Sequence, residues 1–158
     1  IDILEALHIV FLVRPYHRNI ARPQAKAPKL YFYDWAYVQN PNTADAEPGA
    51  QFENMVAAHL LKHVCFMNDS AGESLDLNYV RTTSGKEIDF VLSNAQGDAT
   101  HFIEVKMSDA KPSYALRQMG QSHPQAQAVQ VVKNTRHAFD EQDVAVRPAA
   151  QWLHSLAA

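Results

Sequence analysis

One cysteine, Cys65, stands in a chain of 158 residues, so no disulfide can form within it, and a reducing, cytoplasmic setting is expected. No apolar run approaches the roughly 20 residues that span a bilayer, so no membrane partner is expected. Glycine is scarce, at five residues. The one Gly-Lys pair, Gly85-Lys86, runs into Glu87, so the phosphate-cradling loop of an ATPase is missing and no ATP site is expected in this fragment. There is no basic excess either: 14 Lys and Arg against 17 Asp and Glu give a net charge of -3. Strong non-specific binding of nucleic acid through bulk charge is therefore not expected. The one basic cluster, Arg14, Arg18, Arg22, Lys26 and Lys29, lies in a segment broken by Pro15, Pro23 and Pro28, and reads as a solvated linker. The chain starts at Ile1 without a signal-peptide pattern, and is expected to be a piece of something longer.

What is present is ordinary folded-domain composition, 47% hydrophobic and 20% charged, enough to bury one core without staples. The expected fold class is α/β, a mixed β-sheet flanked by helices. Residues 1–13 read as a helix end running into a strand, the tail of a preceding domain. Residues 14–29 read as a connector, and 30–158 as the domain proper. Leu30 to Tyr33 is β-prone, and residues 39–48 form a polar loop. Phe52, Val56, Leu60 and Val64 recur every four residues and predict a helix from Gly49 to about Val64. Residues 77–82 and 86–92 predict a hairpin turning at Ser84-Gly85, followed by a strand over 102–107. A short helix over 113–121, a buried strand over 128–133, a strand at 144–146 and a helix over 149–156 complete the chain.

Two of these strands carry acids in step. In Lys86–Leu92, alternation places Ile88, Phe90 and Leu92 on one face and Glu87 and Asp89 on the other. In Phe102–Met107, Ile103, Val105 and Met107 share a face, and Glu104 and Lys106 take the other. Asp89 and Glu104, on one face of neighbouring strands, can supply the one or two carboxylates that Mg²⁺ takes beside water and phosphate. Lys106 can then orient a metal-bound water or offset charge on a phosphate. Glu53 borders the apolar stripe of its helix, where it can complete the site or activate the water; it can equally be an acid favouring the helix dipole. Alternating apolar and charged residues also describe any half-exposed strand, with Glu104 and Lys106 a surface ion pair. His59 and His63 are spaced i, i+4 with Cys65 close behind, but they lack a third ligand and an intervening Glu, so zinc is not expected.

The order of Glu53 on a helix, Ile88-Asp89-Phe90-Val91 and Ile103-Glu104-Val105-Lys106 resembles the PD-(D/E)xK nuclease superfamily, the restriction-endonuclease-like fold. With Pro28-Lys29-Leu30-Tyr31-Phe32-Tyr33-Asp34, Gly49-x-x-Phe52-Glu53-Asn54 and Gly85-x-Glu87-Ile88-Asp89-Phe90, the chain more narrowly resembles the C-terminal domain of prokaryotic P-loop AAA-type ATPases. The resemblance implies a four-stranded mixed sheet flanked by helices. It implies Asp89 and Glu104 as metal residues and Lys106 and Glu53 as catalytic ones, with Mg²⁺ or Mn²⁺ as cofactor. DNA is the implied substrate and an N-terminal ATPase module the implied partner. The competing expectation is a non-catalytic module that docks nucleic acid or protein and regulates that ATPase.

Overall fold

The computed structural model of the chain describes residues 1–16, 27–38, 47–81, 87–108 and 111–156. The expected turn at Ser84-Gly85, most of the connector and most of the 39–48 loop lie outside these. In chain order come α1 (Asp2–Ala6), β1 (Val10–Pro15), β2 (Lys29–Phe32), α2 (Pro48–Ser70), β3 (Asp76–Arg81), β4 (Glu87–Ser93) and β5 (Ala99–Lys106). These are followed by α3 (Tyr114–Ser122), β6 (Gln127–Val132), β7 (Phe139–Glu141), β8 (Val144–Pro148) and α4 (Ala149–Ser155). The fold is α/β, as expected. The described strands form one mixed sheet in the order β2-β1-β3-β4-β5-β6-β8-β7. The sheet has eight described strands, where the nuclease resemblance implied four and the residue pattern seven.

Strands β3, β4 and β5 are antiparallel neighbours, and β5, β6 and β8 run parallel. Strand β1 lies between β2 and β3, and Val10, Phe11 and Val13 are buried. Residues 10–15 therefore belong to this domain's packing rather than to the tail of a preceding one, because their apolar side chains are the ones the sheet buries. Strand β7 was not expected. It pairs with β8 through Gln142 and Asp143, both at positive φ (49° and 64°), a two-residue turn made without the glycine that usually signals it.

Two apolar layers hold the sheet. Beneath α2, Phe52, Val56, Leu60 and Val64 pack with Phe11, Tyr31, Phe90, Leu92 and Ile103. Beneath α3, Ala115 and Leu116 pack with Ile88, Val91 and Phe102. Ser113 caps α3 by accepting a hydrogen bond from the Leu116 N–H, satisfying one of the free donors at a helix start.

Helix α2 runs six residues past the expected end. Its last turns are fixed from outside: Asn68 accepts from the Leu75 N–H at 2.7 Å and donates to its carbonyl at 3.0 Å, tying the helix to the chain entering β3. The other end repeats the device. Asn54, only 3% exposed, brackets the backbone N–H and carbonyl of Phe32 at 2.8 Å each. Asn54→Ala would strand both groups of β2, and a loss of about 2–3 kcal/mol is expected in urea denaturation.

Candidate active site

The acids gather where β2, α2, β4 and β5 meet. Strand β4 carries one residue more than β3 across this stretch, since Asn78 pairs with Val91 but Val80 with Ile88. The resulting bulge breaks the strict alternation expected of β4. Phe90 and Leu92 pack beneath α2 while Ile88 packs beneath α3. Asp89 sits at that irregularity, and its Oδ2 accepts a hydrogen bond from the Val105 backbone N–H at 2.8 Å. A bulge beside a site re-aims a side chain, here into the seam between β4 and β5.

Around Lys29 three carboxylates converge. Its Nζ lies 3.1 Å from Glu53 Oε1 and 3.8 Å from Asp89 Oδ1, and it pairs with Glu87. The Tyr31 hydroxyl donates to the same Glu53 oxygen at 2.5 Å, and Arg81 pairs with Glu87 at 2.6 Å. The ammonium also lies 5.5 Å from the centre of the Tyr79 ring and 6.0 Å from that of Phe90. Lys29 is thus no linker charge: its side chain is only 16% exposed. The strand period explains it, because Lys29 and Tyr31 are two apart and share the face that α2 covers. Glu53 is not an acid of the first helical turn, since α2 starts at Pro48. It faces the sheet, as its place beside the apolar stripe indicated.

The electrostatics follow from this crowding. Burial pushes the Asp89 carboxyl up, Glu53 and Glu104 add to it, and Lys29 and the Val105 N–H only partly offset them, leaving a pKa of about 6. Burial works to lower the Lys29 pKa, but the hydrogen bond to Glu87 and the charges of Glu53 and Asp89 outweigh it and hold the ammonium above its usual range. Glu87 is opposite in sign. Burial raises it, and the Lys29 and Arg81 partners overcome that and leave it below the usual carboxylate range. Tyr31 is held up by burial first and by Glu53 second.

On β5, Glu104 is 5% exposed, with Oε1 paired to Lys106 Nζ at 2.7 Å. Its Oε2 is buried with no hydrogen-bond partner. Ile103, Val105 and Met107 pack beneath α2, so Glu104 and Lys106 alternate to the opposite face, as expected. Asp89 instead reaches Lys29 on the α2 side. The two carboxylates therefore approach the seam from its two sides rather than sharing one face, and are still close enough for Glu104 to raise the Asp89 pKa. Of the four expected site residues, the fold gathers Glu53 with Asp89 around Lys29, and Glu104 with Lys106. Among the described residues no three His, Cys, Asp or Glu side chains are arranged to hold a metal ion between them.

The sequence reading missed Lys29, Tyr31 and Glu87 as members of the site. The signal lay in the alternation of Lys29-Leu30-Tyr31, masked by the prolines around it.

Residues 48–152 match the family described as a domain of unknown function, DUF4143. The chain belongs to this family. Residues 1–40 match a second domain of unknown function, DUF8612. No curated protein and no solved structure matches. The two matched segments are not separate in the fold. Lys29 and Tyr31 come from the first, and Glu53, Glu87, Asp89, Glu104 and Lys106 from the DUF4143 segment. No helix among the described residues of this DUF4143 chain is long and apolar enough to cross a membrane.

Proposed function

We propose that the domain is a Mg²⁺- or Mn²⁺-dependent phosphodiesterase of the PD-(D/E)xK kind, acting on DNA as the C-terminal part of a larger ATPase. The observation that carries this reading is the half-satisfied carboxylate of Glu104. A buried carboxylate oxygen without a donor is costly, and a cation beside it would offset that cost. Asp89, held by the Val105 N–H between Glu104 and Lys106 in sequence, supplies the second carboxylate. Two carboxylates with water and phosphate oxygens complete a Mg²⁺ shell. Bound there, a divalent ion would supply charge stabilisation and an acidified water.

The remaining work falls to the chain's own residues. Lys106 holds Glu104 through Oε1, and its side chain is 38% exposed, so its ammonium can also face an anionic oxygen. Glu53 has Oε1 engaged by both Lys29 and Tyr31. Its part is to position Lys29, and through it Asp89, rather than to hold metal or activate water.

One observation favours the second reading, a non-catalytic module that docks nucleic acid or protein and regulates the attached ATPase: Lys29 and Arg81 already offset part of the Glu53–Glu87–Asp89 charge from within. Calorimetric titration with Mn²⁺ separates the two. One binding event is expected for the wild type, weakened at least tenfold in Asp89→Ala. Absent binding, or binding indifferent to the substitution, would leave the docking reading. Plasmid nicking in Mg²⁺ should fall at least a hundredfold in Lys106→Ala, and equal nicking by both proteins would overturn the assignment of Lys106.

A further inference from the structure

We infer that the cleft between α2 and α4 is a binding track for single-stranded nucleic acid leading to the carboxylate site. For its choice of ligand this inference rests on the phosphodiesterase reading. The cleft, about 510 Å³, has two unlike parts. Its cationic and imidazole residues are Lys62, Lys133, His59 and His154, all exposed, and among the described residues no Asp or Glu lines it. Its other lining is apolar: Met55, Ala149, Ala150 and Leu153, with the buried Phe52 behind them. In a chain of net charge -3, a cleft without carboxylates is a local positive field, which is what concentrates an anionic ligand.

The cleft adjoins the site already described. Phe52 precedes Glu53 on α2. The Lys133 N–H donates to the Lys106 carbonyl at 2.9 Å, so Lys133 leaves β6 beside the residue that holds Glu104. Its ammonium lies 5.7 Å from the centre of the Phe52 ring, a cation over an aromatic face. His59 Nδ1 lies 2.9 Å from the Met55 carbonyl. A carbonyl only accepts, so Nδ1 is the donor and Nε2 is left for another contact.

The division of the lining selects the occupant. A single strand carries phosphates along one edge and exposes base faces along the other, matching cations beside apolar surface. A duplex hides its base faces, and would leave the apolar part uncovered. An acidic peptide would meet the cations but brings no flat apolar rings to the floor.

Fluorescence anisotropy with a labelled oligothymidylate of about 12 nucleotides, in EDTA and low salt, tests this on the 158-residue chain. The wild type should bind, and Lys62→Glu/Lys133→Glu should bind at least tenfold more weakly with unchanged Tm, since both positions are exposed. Each lost phosphate contact removes about 0.7 from the log–log salt slope, so the pair should remove about 1.4. No wild-type binding, equal binding by the double variant, equal affinity for a duplex of the same length, or full competition by polyglutamate would each overturn the track. Because EDTA removes divalent ions, oligonucleotide binding that depends on Lys62 and Lys133 would stand even where Mn²⁺ calorimetry fails, so the two readings fail separately.

Discussion

Lys29→Met is expected to destabilise the domain by about 3 kcal/mol at pH 8. Removing one partner of a buried ion pair typically costs about 3–5 kcal/mol. The partly exposed partners here, with side chains 18–30% exposed, place the cost at the low end of that range. The Met retains most of the stem but leaves Glu53, Glu87 and Asp89 facing one another without a cation. The sign in pH follows from the shifts. The Lys29 pKa is raised, so its contribution is fully present below about 10.5 and is lost only as pH rises through its higher folded value. Glu87 is lowered, so its contribution is present above about 4.5 and is lost as pH falls below it. Between those limits the contributions of Lys29 and Glu87 are both present. In the variant, Glu87 and Asp89 lose the ammonium that favours their charged forms and take up protons more readily as pH falls, so the deficit should shrink by half or more between pH 8 and pH 4.5. Urea denaturation of both proteins at the two pH values measures this. An equal deficit at both would mean that the loss is packing of the stem near Tyr79 and Phe90, not charge.

Lys29 also shows where the sequence stopped being legible. Period-4 and period-2 patterns placed α2, β4 and β5 because those elements bury one face, and burial is written in the apolar residues. Cooperation between distant residues is not written that way. Lys29 and Glu53 lie 24 positions apart, and the local alternation of Lys29 with Tyr31 marks a shared face without naming the acids that meet it. The β4 bulge was illegible for a related reason: strict alternation assumes matched strand lengths, and the extra residue exists only relative to β3. Helix α2 outran its apolar stripe because Asn68 is held by Leu75 across the following loop. Strand β7 hid behind a turn of Gln142 and Asp143 at positive φ, with no glycine to mark it.

What the sequence did carry was the pairing of Asp89 with the Glu104-x-Lys106 strand. Only its geometry changed. Asp89 reaches the seam through the bulge, and Glu53 meets it through Lys29 rather than as a fellow ligand. Lys29 fills the space among Glu53, Glu87 and Asp89. The metal expectation therefore rests on Glu104 and Asp89 alone, and both can be tested one atom at a time.

Asp89→Asn is the sharper of these tests, because stability and binding should move in opposite directions. The Asp89 pKa is raised from 3.8 to about 6. Below about pH 4 the side chain is protonated folded or unfolded, and contributes no difference. Between about pH 4 and 6 the unfolded chain releases the proton while the native state keeps it, so this group lowers stability as pH rises. Above about 6 the penalty is constant, at most roughly 3 kcal/mol at 1.4 kcal/mol per unit. Asparagine keeps the shape and an oxygen for the Val105 N–H but carries no charge. The variant should therefore be about 2 kcal/mol more stable than wild type at pH 8, with the gain vanishing below pH 4, while Mn²⁺ binding is lost. A variant less stable at pH 8 would make Asp89 a structural partner of Lys29. A gain in stability joined to loss of binding would identify a charge kept at the folded state's expense, which is how functional groups differ from packing ones.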